Sequence, residues 1–399
     1  MSLLLKREFI LISATALTVF HILTGCGRQA ENTPESSFTE RGSGKYYPEK
    51  TNTSFYFGAD LSYVNEMEDC GAIYYDHGGN RTDPYQLFSE SGANLVRLRL
   101  WHSPLWTDYS TLTDVKKSIR RAKKNGMRVI LDFHYSDDWA DPKKQEIPAA
   151  WKNQLNNTES LGYLLYQYTF DTLEDLKKDR LLPDIVQIGN EINGPILREG
   201  EAYDSINWTR NSFLLNRGIQ AVRDFKKKSG RNIEIMLHIA QPENALNWFA
   251  KAHQNKVTDY DWIGVSYYPI WSEYSLDNLN KPLEELRSKY RKKLMIVETA
   301  YPFTLENADQ ADNILGKKAL IEKYPATQEG QLNYLLRLTE IIRKSGGSGL
   351  VYWEPAWVST ACKTRWGTGS HWDNATLFDH ENKPTLGLSF YYNSLNNQH

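Results

Sequence analysis

Two glutamates stand where an acid is costly. In "DIVQIGNEIN" the apolar residues Ile185, Val186 and Ile188 lead through Gly189 into Asn190 and Glu191. In "LMIVETAYPF" the run Leu294–Val297 leads into Glu298. An ionised Glu closing a buried strand needs a partner or a use. Two carboxyl groups facing each other about 5 Å apart can open an acetal linkage between sugars with retention. One gives a proton to the leaving oxygen and the other attacks the sugar carbon. A lone Glu at either place reads equally well as half of a salt bridge. Two, each ending its own apolar strand, argue for paired chemistry.

The surrounding sequence has to bring these ends together. Eight short β-rich runs follow one another: Phe55–Asp60, Asn94–Leu100, Met127–Phe133, Asp184–Gly189, Ile233–His238, Trp262–Tyr267, Leu294–Glu298 and Gly349–Glu354. Charged stretches of helical period separate most of them. In "TLTDVKKSIRRAKKNG" Leu112, Val115, Ile119 and Ala122 share a face, and Gly126 stands at the expected C-terminal stop. "NYLLRLTEIIRKSGG" repeats the design before the last run. Alternating strands and helices predict βαβ units, and eight with none left over predict one closed (β/α)8 TIM barrel. Neither GxGxxG nor a Walker A motif follows a strand, so a nucleotide-binding sheet lacks its phosphate loop.

A barrel keeps its site at the carboxyl ends of the strands. Those ends carry Asp60, Arg97 and Arg99, Asp132 and His134, Asn190 and Glu191, His238, Tyr267 and Tyr268, Glu298, and Trp353 with Glu354. The loops behind them are aromatic: "WHSPLW", "HYSDDWADP", "YYPIW" and "WEPAWVSTACKTRWGTGSHW". With 12 Trp and 24 Tyr in the chain, flat apolar faces with polar edges suit sugar rings. Scattered core and surface tyrosines are the plainer account of the same count. A net charge of −2 leaves no basic field for nucleic acid. Hydrophobic residues at 40 % and charged ones at 24 % are those of an ordinary globular chain, expected here as a monomer. No HExxH or CxxC spacing points to a catalytic metal or any other catalytic cofactor.

These stretches resemble glycoside hydrolase family 53, the arabinogalactan endo-β-1,4-galactanases of clan A. The matching blocks are "GADLSYVNEME", "LVRLRLW", "LDFHYSDDWADP", "QIGNEINGP", "IGVSYYPIW", "IVETAYPF", "YWEPAWV" and "GTGSHWDNATLFD", in order from about Ser54 to the C-terminus. The resemblance implies retaining cleavage of β-1,4-galactan. It makes Glu191 the general acid/base, its pKa raised by the charge of Glu298, and Glu298 the ionised nucleophile. Arg97 or Arg99 is the candidate cation beside Glu298 and Tyr267 the candidate hydroxyl donor, while the other Arg pairs with Asp60 or Asp132. Asn190 would hold the sugar 2-hydroxyl, and Asp132, His134, Asp137, Trp139, Trp353 and Trp357 would serve the cleft. His134 alone reads equally as a core histidine, and Asp60 and Asp132 as organisers of Arg and His. Some relatives carry a structural Ca²⁺ between the loops after the seventh and eighth strands. Asn307, Asp309 and Asn313, with Ser370 and Asp373, offer hard oxygen ligands for it. Another clan A endo-glycanase, acting on mannan, xylan or cellulose, would show the same acid pair. A non-catalytic glycan-binding lipoprotein would not need both acids.

The N-terminus is not part of the fold. Lys6 and Arg7 precede the apolar stretch Phe9–Leu23, and Leu23-Thr24-Gly25-Cys26 resembles a bacterial lipobox. Residues 1–25 read as a lipoprotein signal peptide, 26–52 as a flexible polar tether and 53–399 as the catalytic domain. Loss of Lys6, Arg7 and Glu8 takes the charge from −2 to −3. A lipid on Cys26 would anchor the protein to a membrane, at the cell surface or in the periplasm. In that oxidising setting Cys70, after the first strand, and Cys362, after the last, lie on neighbouring loops of a closed barrel. A disulfide between them is compatible with that topology, though sequence does not set their separation.

Overall fold

The computed structural model describes residues 55–200, 205–364 and 367–392. The expected signal peptide and tether, with Cys26, lie outside them. All eight apolar runs are strands: β1 (Tyr56–Asp60), β2 (Leu95–Leu100), β3 (Arg128–Phe133), β4 (Ile185–Ile188), β5 (Glu234–Ala240), β6 (Trp262–Ser266), β7 (Lys293–Glu298) and β8 (Gly349–Tyr352). They close in sequence order, with β1 paired to both β2 and β8, and every pairing parallel. The helix at Leu112–Lys124 starts where the Thr111 side chain accepts from the Asp114 N–H, and Gly126 takes φ 71° just past its end. Its buried face is Val115, Ser118, Ile119 and Ala122. Val115 and Ile119 each contribute about 1.5–3 kcal/mol through burial. The second expected helix runs Gln328–Lys344. Among the described residues no helix is long and apolar enough to cross a membrane.

Strand alternation divides the core in two. Leu95, Ile130, Ile185, Met236, Trp262, Met295 and Val351 fill the barrel interior. The intervening residues, Val96, Leu131, Val186, Leu237, Ile263, Leu294 and Leu350 among them, belong to the larger cluster that includes the helices' buried faces. One step further along the inward files the chemistry changes: Arg97, Asp132, Gln187 and His238 replace the apolar layer. On β6 the same file continues through Gly264 to Ser266 and Tyr268. A dry floor thus carries a polar layer directly under the barrel mouth.

Cys70 and Cys362 form a disulfide, with Cα atoms 5.6 Å apart across 292 residues of sequence. It ties the end of the first helix, Val64–Asp69, to the long loop after β8, which carries Trp357 and Trp372, both packed against Trp353.

Candidate active site

Two local devices aim the glutamates. After β4 the chain turns sharply, with Gly189 at φ 83° and Glu191 at φ 42°. A side chain at Gly189 would also strike Ile192, its Cβ falling 2.5 Å from Cγ2. Positive φ at a Glu is uncommon and costs energy that the surrounding packing must offset. On β7 strict alternation would send Glu298 outward with Leu294 and Ile296. The register between β6 and β7 slips instead: Val265 pairs with Ile296, and Ser266 with Glu298. The irregularity at Val297 re-aims Glu298 into the barrel.

A carboxylate oxygen of each glutamate and a ring nitrogen of His238 all lie within 4.8 Å of one another. That matches the short spacing of retaining rather than inverting pairs. As a metal site the trio is poor, because its atoms are already engaged. His238 Nδ1 faces Gln187 and Asn190, His238 Nε2 faces Ser266, Glu191 accepts from Ser266 and Glu298 from Arg97.

Arg97 is the organiser. Its five N–H groups meet five acceptors: Nε to Gln187 Oε1 at 3.1 Å, Nη1 to Asp60 at 2.9 Å and Glu298 at 2.8 Å, Nη2 to Asp132 at 2.8 Å and Asn190 Oδ1 at 2.6 Å. Arg97 as a whole is 1 % exposed. It is therefore a holder of carboxylates and not a sugar contact. Arg99 pairs with Glu354 at 3.1 Å and lies over the rings of Tyr63, Trp101 and Trp139. The choice between the two arginines falls to Arg97.

Burial pushes Glu191 up to about 7, helped by the charges of Asp141 and Asp132 and opposed by the Ser266 hydroxyl and Arg97. The leading cause is thus desolvation, where the sequence pointed to the charge of Glu298. Burial also raises Glu298, Arg97 opposes it, and Glu191, Asp60 and Asp132 add to the rise. Glu298 is the more deeply buried, 6 % exposed, while Glu191 keeps an edge toward solvent. Two carboxyls this close do not both ionise near neutral pH. The direct guanidinium contact decides between them: the charge stays on Glu298 and the shared proton on Glu191.

Several expected contacts with sugar are corrected by burial or by the partners the side chains already hold. Asp132 is fully buried and bonds Arg97, Gln187 and His134. His134 accepts the Ala140 N–H on Nδ1 and faces Asp132 through Nε2, so it is a core histidine that holds the loop after β3. Asp137 spends both oxygens on the Ser103 and Ala149 N–H groups. Trp357, 4 % exposed, stacks on Tyr63 at 4.2 Å and supports the wall from behind. Tyr267 points outward and donates to the Tyr274 carbonyl. Its neighbour Tyr268 takes the inward place, and the charges of Glu298 and Glu191 add to the rise that burial imposes on its hydroxyl. Asn190 stays at the site: Oδ1 must face Arg97, a pure donor, and Nδ2 donates to the Ala140 carbonyl, which leaves one amide hydrogen. Trp139 and Trp353 are half-buried, 5.9 Å apart, and Trp353 packs edge-on to Trp372 at 4.6 Å.

Gln187, Ser266 and Asp141 join the strand-end residues His238 and Tyr268 at the site. Gln187, Ser266, His238 and Tyr268 all share parity with inward apolar residues of their strands. Asp141, which acts on Glu191 by charge alone, carries no such signal.

The five expected calcium ligands split into two groups. Asn313 Nδ2 donates to Asn307 Oδ1 and Asp373 Oδ1, both at 2.7 Å. Asp309 instead accepts from the Ala311 and Ser370 N–H groups and the Ser359 hydroxyl, and Ser370 Oγ donates to the Trp357 carbonyl.

A family model described as Glycosyl hydrolase family 53 matches residues 56–391, nearly the whole described fold. The chain belongs to that family. It is 57 % identical over 346 residues to an arabinogalactan endo-β-1,4-galactanase of Cellvibrio japonicus, covering 86 % of this chain and 91 % of that one. An endo-β-1,4-galactanase of Bacillus subtilis is 33 % identical over 384 residues, covering 86 % of each. Among solved structures, the Ignisphaera aggregans GH53 catalytic domain superimposes with TM-score 0.78 at 31 % identity, covering 86 % of this chain and 97 % of that one. The family 53 barrel therefore sets Glu191 and Glu298 at the ends of β4 and β7.

Proposed function

We propose that this chain is an endo-acting, retaining glycosidase that cleaves β-1,4-galactosidic bonds in galactan and type I arabinogalactan. The observation that carries the reading is the carboxyl pair within 4.8 Å, one member held by Arg97 and the other poised near neutrality, in a family 53 barrel. Glu298 attacks the anomeric carbon as Glu191 protonates the departing oxygen. Water then gives its proton to Glu191 and releases the sugar with its β configuration restored. Asn190 offers its remaining amide hydrogen to the sugar 2-hydroxyl, and Trp353 and Trp139 supply faces for the rings. The name of the 57 % identical relative supports galactan over other polymers. Reducing-sugar release is measured on potato-type galactan, mannan, xylan and cellulose. Turnover of galactan alone is expected; no turnover of galactan beside clear turnover of another polymer would overturn the specificity.

A structural Ca²⁺ belongs to the same proposal. Turning over the Asn313 amide, at the loss of the Asn374 N–H that its oxygen now accepts at 3.4 Å, would set that oxygen beside those of Asn307 and Asp373, three hard ligands on the loops after β7 and β8. The ion would replace a neutral bridge between those loops. Millimolar Ca²⁺ is expected to raise the melting temperature by a few degrees, and chelator to reverse the gain. A melting temperature indifferent to both removes the ion from the description.

A further inference from the structure

Beside Glu191, two uncharged side chains form a hydrogen-bonded chain that takes no part in the bond-breaking steps. Ser266 Oγ lies 2.5 Å from Glu191 Oε1, and His238 Nε2 lies 2.8 Å from Ser266 Oγ. Both residues have 0 % exposure. Neighbouring strands bring them together, since Ala240 pairs with Ser266 and His238 with Gly264 two residues earlier.

Counting hydrogens gives the chain a direction. His238 is neutral: burial holds its pKa well below the ordinary value, with the charge of Arg97 adding to that. A neutral imidazole has one N–H. Its Nδ1 receives the Glu191 backbone N–H at 3.4 Å, while the two hydrogens of the neighbouring Gln187 amide go to Asp132 Oδ1 at 2.6 Å and the Gly189 carbonyl at 3.0 Å. Nδ1 also lies 3.0 Å from Asn190 Oδ1, which receives Arg97 at 2.6 Å through one of its two lone pairs. With the Glu191 N–H aimed at it, Nδ1 is assigned as the bare nitrogen and Nε2 as the N–H. That N–H donates to Ser266 Oγ, and Ser266 has one hydrogen of its own, which is left for Glu191 Oε1. An Oε1 that accepts this bond does not carry the proton. The carboxyl proton is confined to Oε2, the oxygen left for the cleft.

We propose that Ser266, oriented by His238, is a positioning residue that fixes which oxygen of Glu191 holds the transferable proton. The inference rests on the acid/base reading of Glu191. In the first step the Oε2–H bond breaks and its proton goes to the leaving oxygen; in the second a proton from water returns to Oε2. No proton travels along Ser266 or His238. The hydroxyl donates to Oε1 throughout, favouring the carboxylate and offsetting part of the rise from burial. A group that must alternate between acid and base needs that balance.

The charged and titratable groups acting on this unit are Arg97, Asp132 and Asp141 around Glu191, Glu298 and Tyr268 across the cleft, and Arg97, Asp132 and His134 around His238. None of them is altered in the test. The pH profile of kcat/KM on galactan is measured for wild type, Ser266→Ala, Ser266→Thr and Glu191→Gln. Loss of the donor is expected to move the alkaline limb, where Glu191 gives up its proton, upward by about one pH unit. Ser266→Thr, which keeps the hydroxyl, is expected to restore the limb. Should Ser266→Ala fail to fold, His238→Ala frees the hydroxyl from its holder, and the limb is again expected to rise. An unmoved alkaline limb in a folded variant, whatever its kcat, overturns the proposal and leaves Ser266 a packing residue. Wild-type turnover in Glu191→Gln would instead overturn the acid/base reading beneath it.

Discussion

Glu298→Ala is expected to lower kcat on β-1,4-galactan by about 10⁵-fold, the size of loss that follows removal of a nucleophile. The fold should survive, because the change removes one of three carboxylates gathered on Arg97 and relieves their mutual repulsion. The chemistry supplies a second signature. Azide entering the vacated space attacks the anomeric carbon from the face Glu298 used, breaking the β-linkage and leaving an α-galactosyl azide. Glu191→Ala should behave oppositely: an aryl galactoside with a good leaving group still forms the intermediate, and azide then gives the β product. Product stereochemistry, read by NMR, separates the roles. Wild-type turnover in Glu298→Ala, or a β-azide from it, would reverse or remove the assignment.

The second large effect belongs to Arg97. Arg97→Met strips the one guanidinium that meets Asp60, Asp132, Glu298, Gln187 and Asn190 together. Removing one partner of a buried ion network costs about 3–5 kcal/mol, since the remaining charges stay desolvated. Activity should fall for a distinct reason. Arg97 pulls the Glu298 pKa down against burial. Without it that pKa rises, and Glu298 must be ionised to attack. The acidic limb of the pH–rate profile is therefore expected to move to higher pH, while kcat at neutral pH drops by at least about 10²-fold. Arg97→Lys should not rescue, because a point charge cannot reach five acceptors. Denaturant melts and pH profiles on the folded variants check both parts. An unmoved acidic limb would show that Arg97 does not set the state of Glu298.

The balance at the pair follows from one asymmetry. Both glutamates are raised by burial, yet only Glu298 touches a full cation. Glu191 touches a hydroxyl instead. A guanidinium holds a charge outright, whereas a hydroxyl shifts the balance modestly. One carboxyl can thus stay an anion while its neighbour trades a proton near neutral pH.

What the sequence determined by itself was everything that rests on local pattern. Strand rhythm carries the barrel, because period-2 burial and the helices between are local properties. The barrel then places strand ends, and so Glu191 and Glu298, at one mouth. Parity along each strand separated Arg97 and Arg99 from Val96, Leu98 and Leu100, and read further it would have chosen Tyr268 over Tyr267 and found Ser266. The tertiary structure decided what depends on register and on loops. Which arginine meets Glu298 is a matter of position along β2: Arg97 reaches Asp132 and Glu298, while Arg99, two residues further on, lies among the rings of Tyr63, Trp101 and Trp139. Glu298 faces inward only because the chain slips by one residue at Val297. The Cys70–Cys362 bond, the burial that turned His134 and Asp132 from sugar contacts into supports, and the backbone N–H groups that engage Asp137 come from contacts between distant segments. A one-residue slip or a loop's path is settled by contacts between residues far apart in sequence, and no local pattern encodes them.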